Sequence, residues 1–157
     1  MKPTIGIPDK DIAEVAMLLN TLLADEYILY TKTRNAHWNV AGSNFIELHR
    51  FFKNQYESLD EIIDEVAERV RSLGHFALGS LKDFLSVTHM LEDNHNFGKH
   101  KELIQILVDD HETIIRIIRN DIIPISDKYK DLGTADFVTG IMEQHEKMAW
   151  MLRSFLA

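Results

Sequence analysis

The stretch HWNVAGSNFIELHR (residues 37–50) separates two long helical patterns and holds two histidines twelve positions apart. Upstream of it, apolar residues recur at helical spacing instead of alternating, which predicts a first helix over about residues 9–37. Inside the stretch, a glycine and Asn44 indicate a break. Asn44 with Glu47 three residues later is typical of an N-terminal capping pair, so a second helix is predicted over about residues 45–73.

The rest of the chain keeps the helical periodicity, and none of it alternates as a strand would. A short helix is predicted between residues 75 and 95. A third long helix is predicted from about Asn96 to Ile123, where Pro124 would end or bend it. Residues 126–134 have the composition of a loop, and Thr134 is predicted to cap a fourth long helix that runs to the C-terminus. The predicted fold is all-α: an antiparallel four-helix bundle with a short helix in the crossover between the second and third long helices.

The composition is that of one globular domain. The 157 residues are 45% hydrophobic and 27% charged, which suits a single domain, assigned to residues 9–157 after a short tail of residues 1–8. The absence of cysteine excludes disulfides, thiolate metal sites and cysteine nucleophiles. The first residues, MKPTIGIPDKD, lack the apolar core of a secretory signal, and no apolar run has the length of a membrane span. A cytoplasmic protein without a membrane partner is therefore expected.

The formal net charge of −8 bears on the partners of the chain. Binding to nucleic acid or anionic membrane depends on neutralising phosphates with Lys and Arg, and the basic residues here are interspersed with acids. An acidic surface attracts cations instead.

Two carboxylates in the second predicted helix are candidates for such a cation. Asp64 and Glu68 are four residues apart, so they lie on one helical face about one turn from each other. Their mutual repulsion is relieved by solvent, by a basic neighbour or by a bound cation. Because the surrounding sequence DEIIDEVAER (residues 60–69) is also acidic, a solvated acidic face is the simpler explanation of the spacing.

His37 and His49 likewise have a simple explanation, as capping or partly buried structural residues. Two imidazoles and two carboxylates together make a mixed nitrogen and oxygen ligand set, which suits borderline divalent metals such as iron, zinc or manganese. The spacing alone leaves open whether the four groups converge.

Two longer motifs make the pattern specific. HWNVAGSNFIELH is followed after fourteen residues by DEVAER, and EQHEKMAWMLRSFL forms the last predicted helix. With the helix order, these motifs closely resemble the Dps family, the mini-ferritins, over the whole chain after about residue 8. The resemblance implies a ferritin-like bundle that assembles into a hollow homo-dodecamer, oxidises Fe(II) and stores the ferric product. It also implies protection against oxidative damage, with hydrogen peroxide preferred to dioxygen as the oxidant.

By match of motif, the resemblance assigns the catalytic metal ligands to two chains. His37 and His49 come from one subunit, and Asp64 and Glu68 come from its two-fold mate. The two histidines are then half of a ferroxidase site that another copy of the chain completes.

Lys53 departs from the family pattern, which places an acid one turn after the second histidine. A protonated ammonium cannot ligate a metal and repels Fe(II). By resemblance, the ligands nearest the family's stronger iron position, His37, Asp64 and Glu68, remain, and the second position is predicted to be weak. The alternative is that Lys53 pairs with Asp64 or Glu68 across the interface and holds the empty site together. Asp60 or Glu57 would be substitute ligands, but nothing in the sequence selects them.

Asp131 and Asp136 bracket the predicted start of the last helix, and by resemblance they would line a three-fold pore through which iron enters the cage. A further acidic pore position falls on Gly140. The alternative is that an Asp near a helix N-terminus is favourable with the helix dipole in any case.

The remaining aromatic and imidazole side chains are interpreted structurally. Trp38 is expected to fill a subunit interface, with a secondary role in trapping radicals near the iron as the alternative. Six further histidines follow no ligand spacing and are interpreted as structural or surface residues: His75, His89, His95, His100, His111 and His145.

Other kinds of site and function require features that this sequence largely lacks. A di-iron site inside one bundle needs Glu-x-x-His in two core helices, and the only match, Glu92 to His95, falls in or beside the crossover. The main alternative is a non-catalytic cage that binds DNA or sequesters metal, with its oxidation site weakened by Lys53. DNA binding is not expected, because the N-terminal tail lacks a lysine-rich run and twelve copies at −8 carry about −96. The sequence is silent on a surface-mediated interaction role.

Overall fold

The computed structural model describes residues 3–92 and 100–157, and throughout those residues the regular elements are helical. The elements in chain order are α1 (Asp9–Asn39), α2 (Phe45–Ser72), α3 (Leu81–Val87), α4 (His100–Ile117), a π-helical segment (Ile118–Ile122), α5 (Ile123–Lys128) and α6 (Leu132–Ser154). The helix α1 packs along α2, α4 packs along α6, and the short α3 lies on α1 within the crossover. The all-α four-helix bundle with a helix in its crossover is therefore confirmed.

Helical periodicity explains how this bundle forms its core. In α2 the buried side chains recur every three or four residues, as in Leu48, Phe52, Leu59 and Val66, so they form one stripe along the helix. Burying each large aliphatic or aromatic side chain stabilises the fold by about 1.5–3 kcal/mol. The opposite face of α2 is polar and exposed. In the part of the chain that the structure describes, no helix combines the length and the apolar character that crossing a bilayer requires.

The break predicted after the first helix is present at the turn between α1 and α2. Gly42 has a φ of 107°, which an L side chain rarely adopts. A Cβ there would lie 2.8 Å from Nε2 of His100, so the turn also packs against the start of α4. Asn44 occupies the N-cap position of α2 as predicted, but its side chain makes no capping hydrogen bond.

The start of the last helix differs from the prediction. Thr134 is not the cap, because α6 begins at Leu132 and Asp131 is its N-cap residue. The Asp131 carboxylate accepts hydrogen bonds from the Thr134 backbone N–H (3.0 Å) and hydroxyl (2.6 Å). The loop predicted over residues 126–134 is also wrong at its beginning, since α5 extends to Lys128.

The third predicted helix agrees with the structure only in part. The helix α4 ends at Ile117, and the π-helical segment follows it directly. Pro124 comes next, in the first turn of α5. The helical backbone continues through the proline, which lacks the N–H of a regular helix position, and the preceding turn has π-type hydrogen bonding, as in the bond from the Ile123 N–H to the Ile118 carbonyl. The predicted start at Asn96 lies outside the described residues.

A buried carboxylate anchors the crossover to α1. Asp25 accepts hydrogen bonds from the Thr88 hydroxyl (2.7 Å), the His89 backbone N–H (2.7 Å) and the His89 ring (3.0 Å). A fully buried carboxylate would be costly without such partners. His89 is therefore structural, as predicted.

Candidate metal centre

Two histidines clamp each other at the junction of α1 and α2. The Nδ1 atom of His37 lies 2.7 Å from the carbonyl oxygen of His49, and Nδ1 of His49 lies 2.9 Å from the carbonyl oxygen of His37. Their rings stack with centroids 3.8 Å apart. A carbonyl oxygen only accepts, so each Nδ1 carries the hydrogen and donates it. Each Nε2 is then left with a free lone pair, which is the arrangement of metal-ligating histidines oriented by backbone carbonyls.

Aromatic side chains flank this pair of histidines. The ring of Tyr56 meets the His37 ring edge-on at 5.3 Å, and Phe45 lies 5.0 Å from the His49 ring. The Arg34 guanidinium stacks over Tyr56 and over Trp38, 4.9 Å from the Trp38 ring. His37 is only 8% exposed, whereas Trp38 is 63% exposed. The interface role of Trp38 stays a prediction.

The two carboxylates assigned by sequence lie elsewhere on the same helix. Asp64 and Glu68 are exposed on α2, and within the described residues neither makes a hydrogen bond or salt bridge. Asp64 follows His49 by fifteen residues, which separates them by about 22 Å along the helix axis. The structure therefore brings the histidines together and does not bring the carboxylates to them within one chain.

The described residues also contain no group of three or more His, Asp or Glu side chains placed to hold a metal ion. The alternative pair, Glu92 and His95, cannot be compared in the same way, because His95 lies outside the described residues. The shared-ligand assignment of His37, His49, Asp64 and Glu68 stays a prediction about two chains.

Lys53 lies on the exposed face of α2 between the histidines and the carboxylates. Its ammonium is 3.5 Å from the Glu57 carboxylate, and both side chains are about half exposed. The ammonium is therefore not withdrawn into the bundle, and it remains one turn from His49 on the same side of the helix.

The two candidate pore residues have different surroundings. Asp131 is 4% exposed, caps α6 and pairs with the Arg69 guanidinium at 3.1 Å. Asp136 is exposed one turn into α6. The Asp131 carboxylate thus has a complete structural role within one chain, and pore lining stays a prediction for both.

One cluster of ionisable groups was not predicted. His111, His145 and Glu26 come from three different helices and are all fully buried. Nδ1 of His111 lies 2.8 Å from Nδ1 of His145, and Nε2 of His145 lies 2.9 Å from the Glu26 carboxylate. Burial, reinforced by the neighbouring His145, lowers the pKa of His111 well below its usual value. The neutral ring of His111 therefore belongs to the folded state.

The sequence does contain a sign of this cluster. Glu26 lies within the apolar run LLADEYILY (residues 22–30), where a carboxylate needs a buried partner. His111 and His145 are structural, as predicted, but they form a hydrogen-bonded chain in the core instead of lying at the surface.

Comparison with known proteins places this fold in a family. The profile of the ferritin-like domain matches residues 16–157. The chain is 44% identical over 97% of its length to an uncharacterised low temperature-induced protein of Nostoc, of which it covers 85%. It is 33% identical to the DNA protection during starvation protein 2 of Bacillus anthracis, over 91% of this chain and 97% of that protein.

Solved structures agree with these sequence relatives. The crystal structure of the Dps protein from Vibrio cholerae superposes with a TM-score of 0.92 at 31% identity, over 99% of this chain and 97% of that one. That protein is described as a member of a broad superfamily of ferritin-like diiron-carboxylate proteins. The fold is thus that of a ferritin-like protein. Within that class, the chain belongs to the Dps family.

Proposed function

We propose that this protein is an iron-storing and detoxifying ferroxidase whose active sites form between pairs of chains in a dodecameric cage. The observation that carries the proposal is the reciprocal clamp of His37 and His49, which presents two free Nε2 atoms at one end of α2. The unpaired carboxylates of Asp64 and Glu68 lie about 22 Å along the same helix. Each chain has both halves of a ligand set, at positions that only a second copy can bring together.

Iron is the substrate and cargo of this site. His37 and His49 of one chain bind Fe(II) through nitrogen, and Asp64 and Glu68 of the other bind it through oxygen, a mixed ligand set that suits iron. The backbone carbonyls hold both rings in the ligating tautomer before iron arrives, so little reorganisation is needed on binding. The diiron-carboxylate description of the Vibrio cholerae relative supports iron as the metal.

The protective chemistry follows from electron counting. Two Fe(II) ions supply two electrons to one hydrogen peroxide, and two protons convert its two oxygens into two waters while both irons become Fe(III). A single Fe(II) would supply one electron and release hydroxyl radical. The family resemblance favours peroxide over dioxygen, and the names of relatives that protect DNA during starvation support a protective role. The cytoplasmic location remains a prediction.

A cage that sequesters metal without efficient oxidation is the second candidate, and Lys53 favours it. Its half-exposed ammonium one turn from His49 opposes a second Fe(II) in each site. Such a cage would bind about one Fe(II) per site tightly and would oxidise it slowly.

The test is an anaerobic Fe(II) titration followed by a peroxide pulse, with the size of the particle measured throughout. The proposal predicts a dodecamer, saturation of sites in proportion to chains, and consumption of one peroxide for two Fe(II). A stable monomer that oxidises iron at full rate would contradict the shared site. A dodecamer that binds iron but leaves peroxide unconsumed would establish the sequestering cage instead.

A further inference from the structure

A row of tyrosine rings leads away from the histidine pair along α1. The His37 ring meets the Tyr56 ring edge-on, with centroids 5.3 Å apart. Tyr56 in turn lies 6.0 Å from Tyr30, and Tyr30 lies 5.8 Å from Tyr27, measured between ring centroids. All three tyrosines are half-buried. This tyrosine row (Tyr56, Tyr30 and Tyr27) therefore begins in contact with a proposed iron ligand.

The guanidinium of Arg34 covers two rings of the tyrosine row. Its central carbon lies 5.3 Å from the centroid of Tyr56 and 5.5 Å from that of Tyr30, and one of its N–H groups donates to the Tyr30 hydroxyl at 2.7 Å. A cation over a ring is attracted by the π electrons, so it opposes the build-up of positive charge on that ring. A tyrosine that loses an electron here therefore loses its hydroxyl proton too, and it becomes a neutral phenoxyl radical.

The other rings near the histidines are less suited to give an electron to the site. Phe45, at 5.0 Å from the His49 ring, has no hydroxyl proton to release. Trp38 follows His37 directly, but neighbouring residues of a helix point about 100° apart. The Trp38 side chain is also 63% exposed. Tyr56 thus combines an oxidisable phenol with a direct contact to one histidine of the pair.

The proposed site needs such an electron donor because Lys53 opposes a second Fe(II). A lone Fe(II) supplies one electron, whereas the reduction of peroxide to two waters takes two. We infer that Tyr56 supplies the second electron, through the His37 ring, in sites that hold one Fe(II). The inference deepens the proposed function and rests on it.

The step balances with the phenol as the second reductant. Fe(II) becomes Fe(III), Tyr56 gives an electron through His37 and its hydroxyl proton to solvent, and two solvent protons convert the peroxide into two waters. Once the ferric ion has moved to the store, the next Fe(II) gives an electron to the phenoxyl radical, and a solvent proton restores the phenol. Two Fe(II) are again consumed for one peroxide, and no hydroxyl radical is released. Ring contacts with Tyr30 and Tyr27 let the unpaired electron move away from the iron.

Electron paramagnetic resonance after freeze-quenching tests this donor. The assembled protein is loaded anaerobically with one Fe(II) per site and mixed with an equal amount of peroxide. A phenoxyl signal should appear, and labelling with ring-deuterated tyrosine should narrow it. Tyr56→Phe removes only the hydroxyl, so it should assemble normally, lose the signal and release more hydroxyl radical to a spin trap in solution. Tyr129→Phe, which removes the one tyrosine outside the row, is the matched control and should change neither readout.

Lys53→Asp provides a second test, because a second Fe(II) would then take over as the electron donor. With two Fe(II) per site, this variant should form less phenoxyl radical per peroxide than the unmodified protein under the same conditions. A phenoxyl yield that Lys53→Asp leaves unchanged would overturn the link between Tyr56 and the weak second iron position.

The outcomes separate the inference from the proposed function. An assembled protein that consumes one peroxide for two Fe(II), forms no phenoxyl radical and is unaffected by Tyr56→Phe would overturn the inference and leave the proposed function intact. A radical that persists in Tyr56→Phe and disappears in Trp38→Phe would overturn the assignment to Tyr56. A protein that neither binds nor oxidises Fe(II) would overturn both.

Discussion

Removing the positive charge of Lys53 should strengthen the second iron position of each site. Lys53→Gln deletes the charge without adding a ligand, and Lys53→Asp also adds a carboxylate one turn from His49. Lys82→Asp, on the exposed surface of α3, is the matched control for overall charge. Because the proposed site is shared between two chains, binding is to be measured on the assembled fraction.

The magnitude follows from charge and distance. Side chains one helical turn apart are about 6 Å from each other. A unit charge and a divalent ion at that distance interact by about 5.5 kcal/mol at an effective dielectric of 20, and by about 1.4 kcal/mol in bulk water. Lys53 is half exposed and has Glu57 at 3.5 Å, so the effective repulsion lies toward the lower value. Lys53→Gln should therefore tighten the second Fe(II) by about tenfold, and Lys53→Asp should tighten it more.

The assay is an anaerobic Fe(II) titration of each variant, followed by stopped-flow oxidation with peroxide. The unmodified protein should show one tight and one weak Fe(II) per site, and Lys53→Asp should show two tight ions and faster oxidation. Lys82→Asp should match the unmodified protein. The reasoning is refuted if the unmodified protein already binds two Fe(II) with similar affinity, or if Lys53→Asp changes neither stoichiometry nor rate.

Three further results are expected. Glu68→Ala should abolish tight Fe(II) binding while leaving the thermal unfolding midpoint unchanged, because Glu68 is exposed on α2; retained binding would remove it from the ligand set. Duplex DNA at moderate salt without divalent cations should show no retardation by micromolar protein, and tight, salt-sensitive binding would reveal a basic patch. The free energy of unfolding should fall as the pH drops below about 6.5. In that range His111 binds a proton in the unfolded chain but stays neutral in the folded chain, where burial lowers its pKa. Urea titrations of His111→Gln should show a flatter pH dependence than those of the unmodified protein, and a control with His75→Gln should not.

The sequence predicted the long helices because their apolar stripes repeat over many turns. Local chemistry was less decisive at helix ends. The sequence predicts Thr134 as the N-cap of the last helix, but in the structure Asp131 is the N-cap and accepts hydrogen bonds from Thr134. Asp and Thr are both favourable at an N-cap, so residue type alone does not decide between them. The helix α5 was missed because a six-residue helix shows too little periodicity.

The candidate site was predictable in its residues and not in its geometry. The spacing of His37 and His49 gave no sign that each ring donates to the carbonyl of the other, because that contact depends on the turn at Gly42. The buried chain of Glu26, His145 and His111 depends on the packing of three helices. No pattern within one helix reports such a contact.

The most direct test of a site shared between chains is complementation. One tagged chain carries His37→Ala and His49→Ala, and a second, differently tagged chain carries Asp64→Ala and Glu68→Ala. Each alone should be inactive. When the two chains are co-expressed in equal amounts, half of the two-fold interfaces pair unlike chains. One of the two sites at each of these mixed interfaces is intact, so doubly tagged cages should recover about a quarter of the ferroxidase activity. Mixed cages that assemble fully and oxidise no iron above either parent would contradict the shared site.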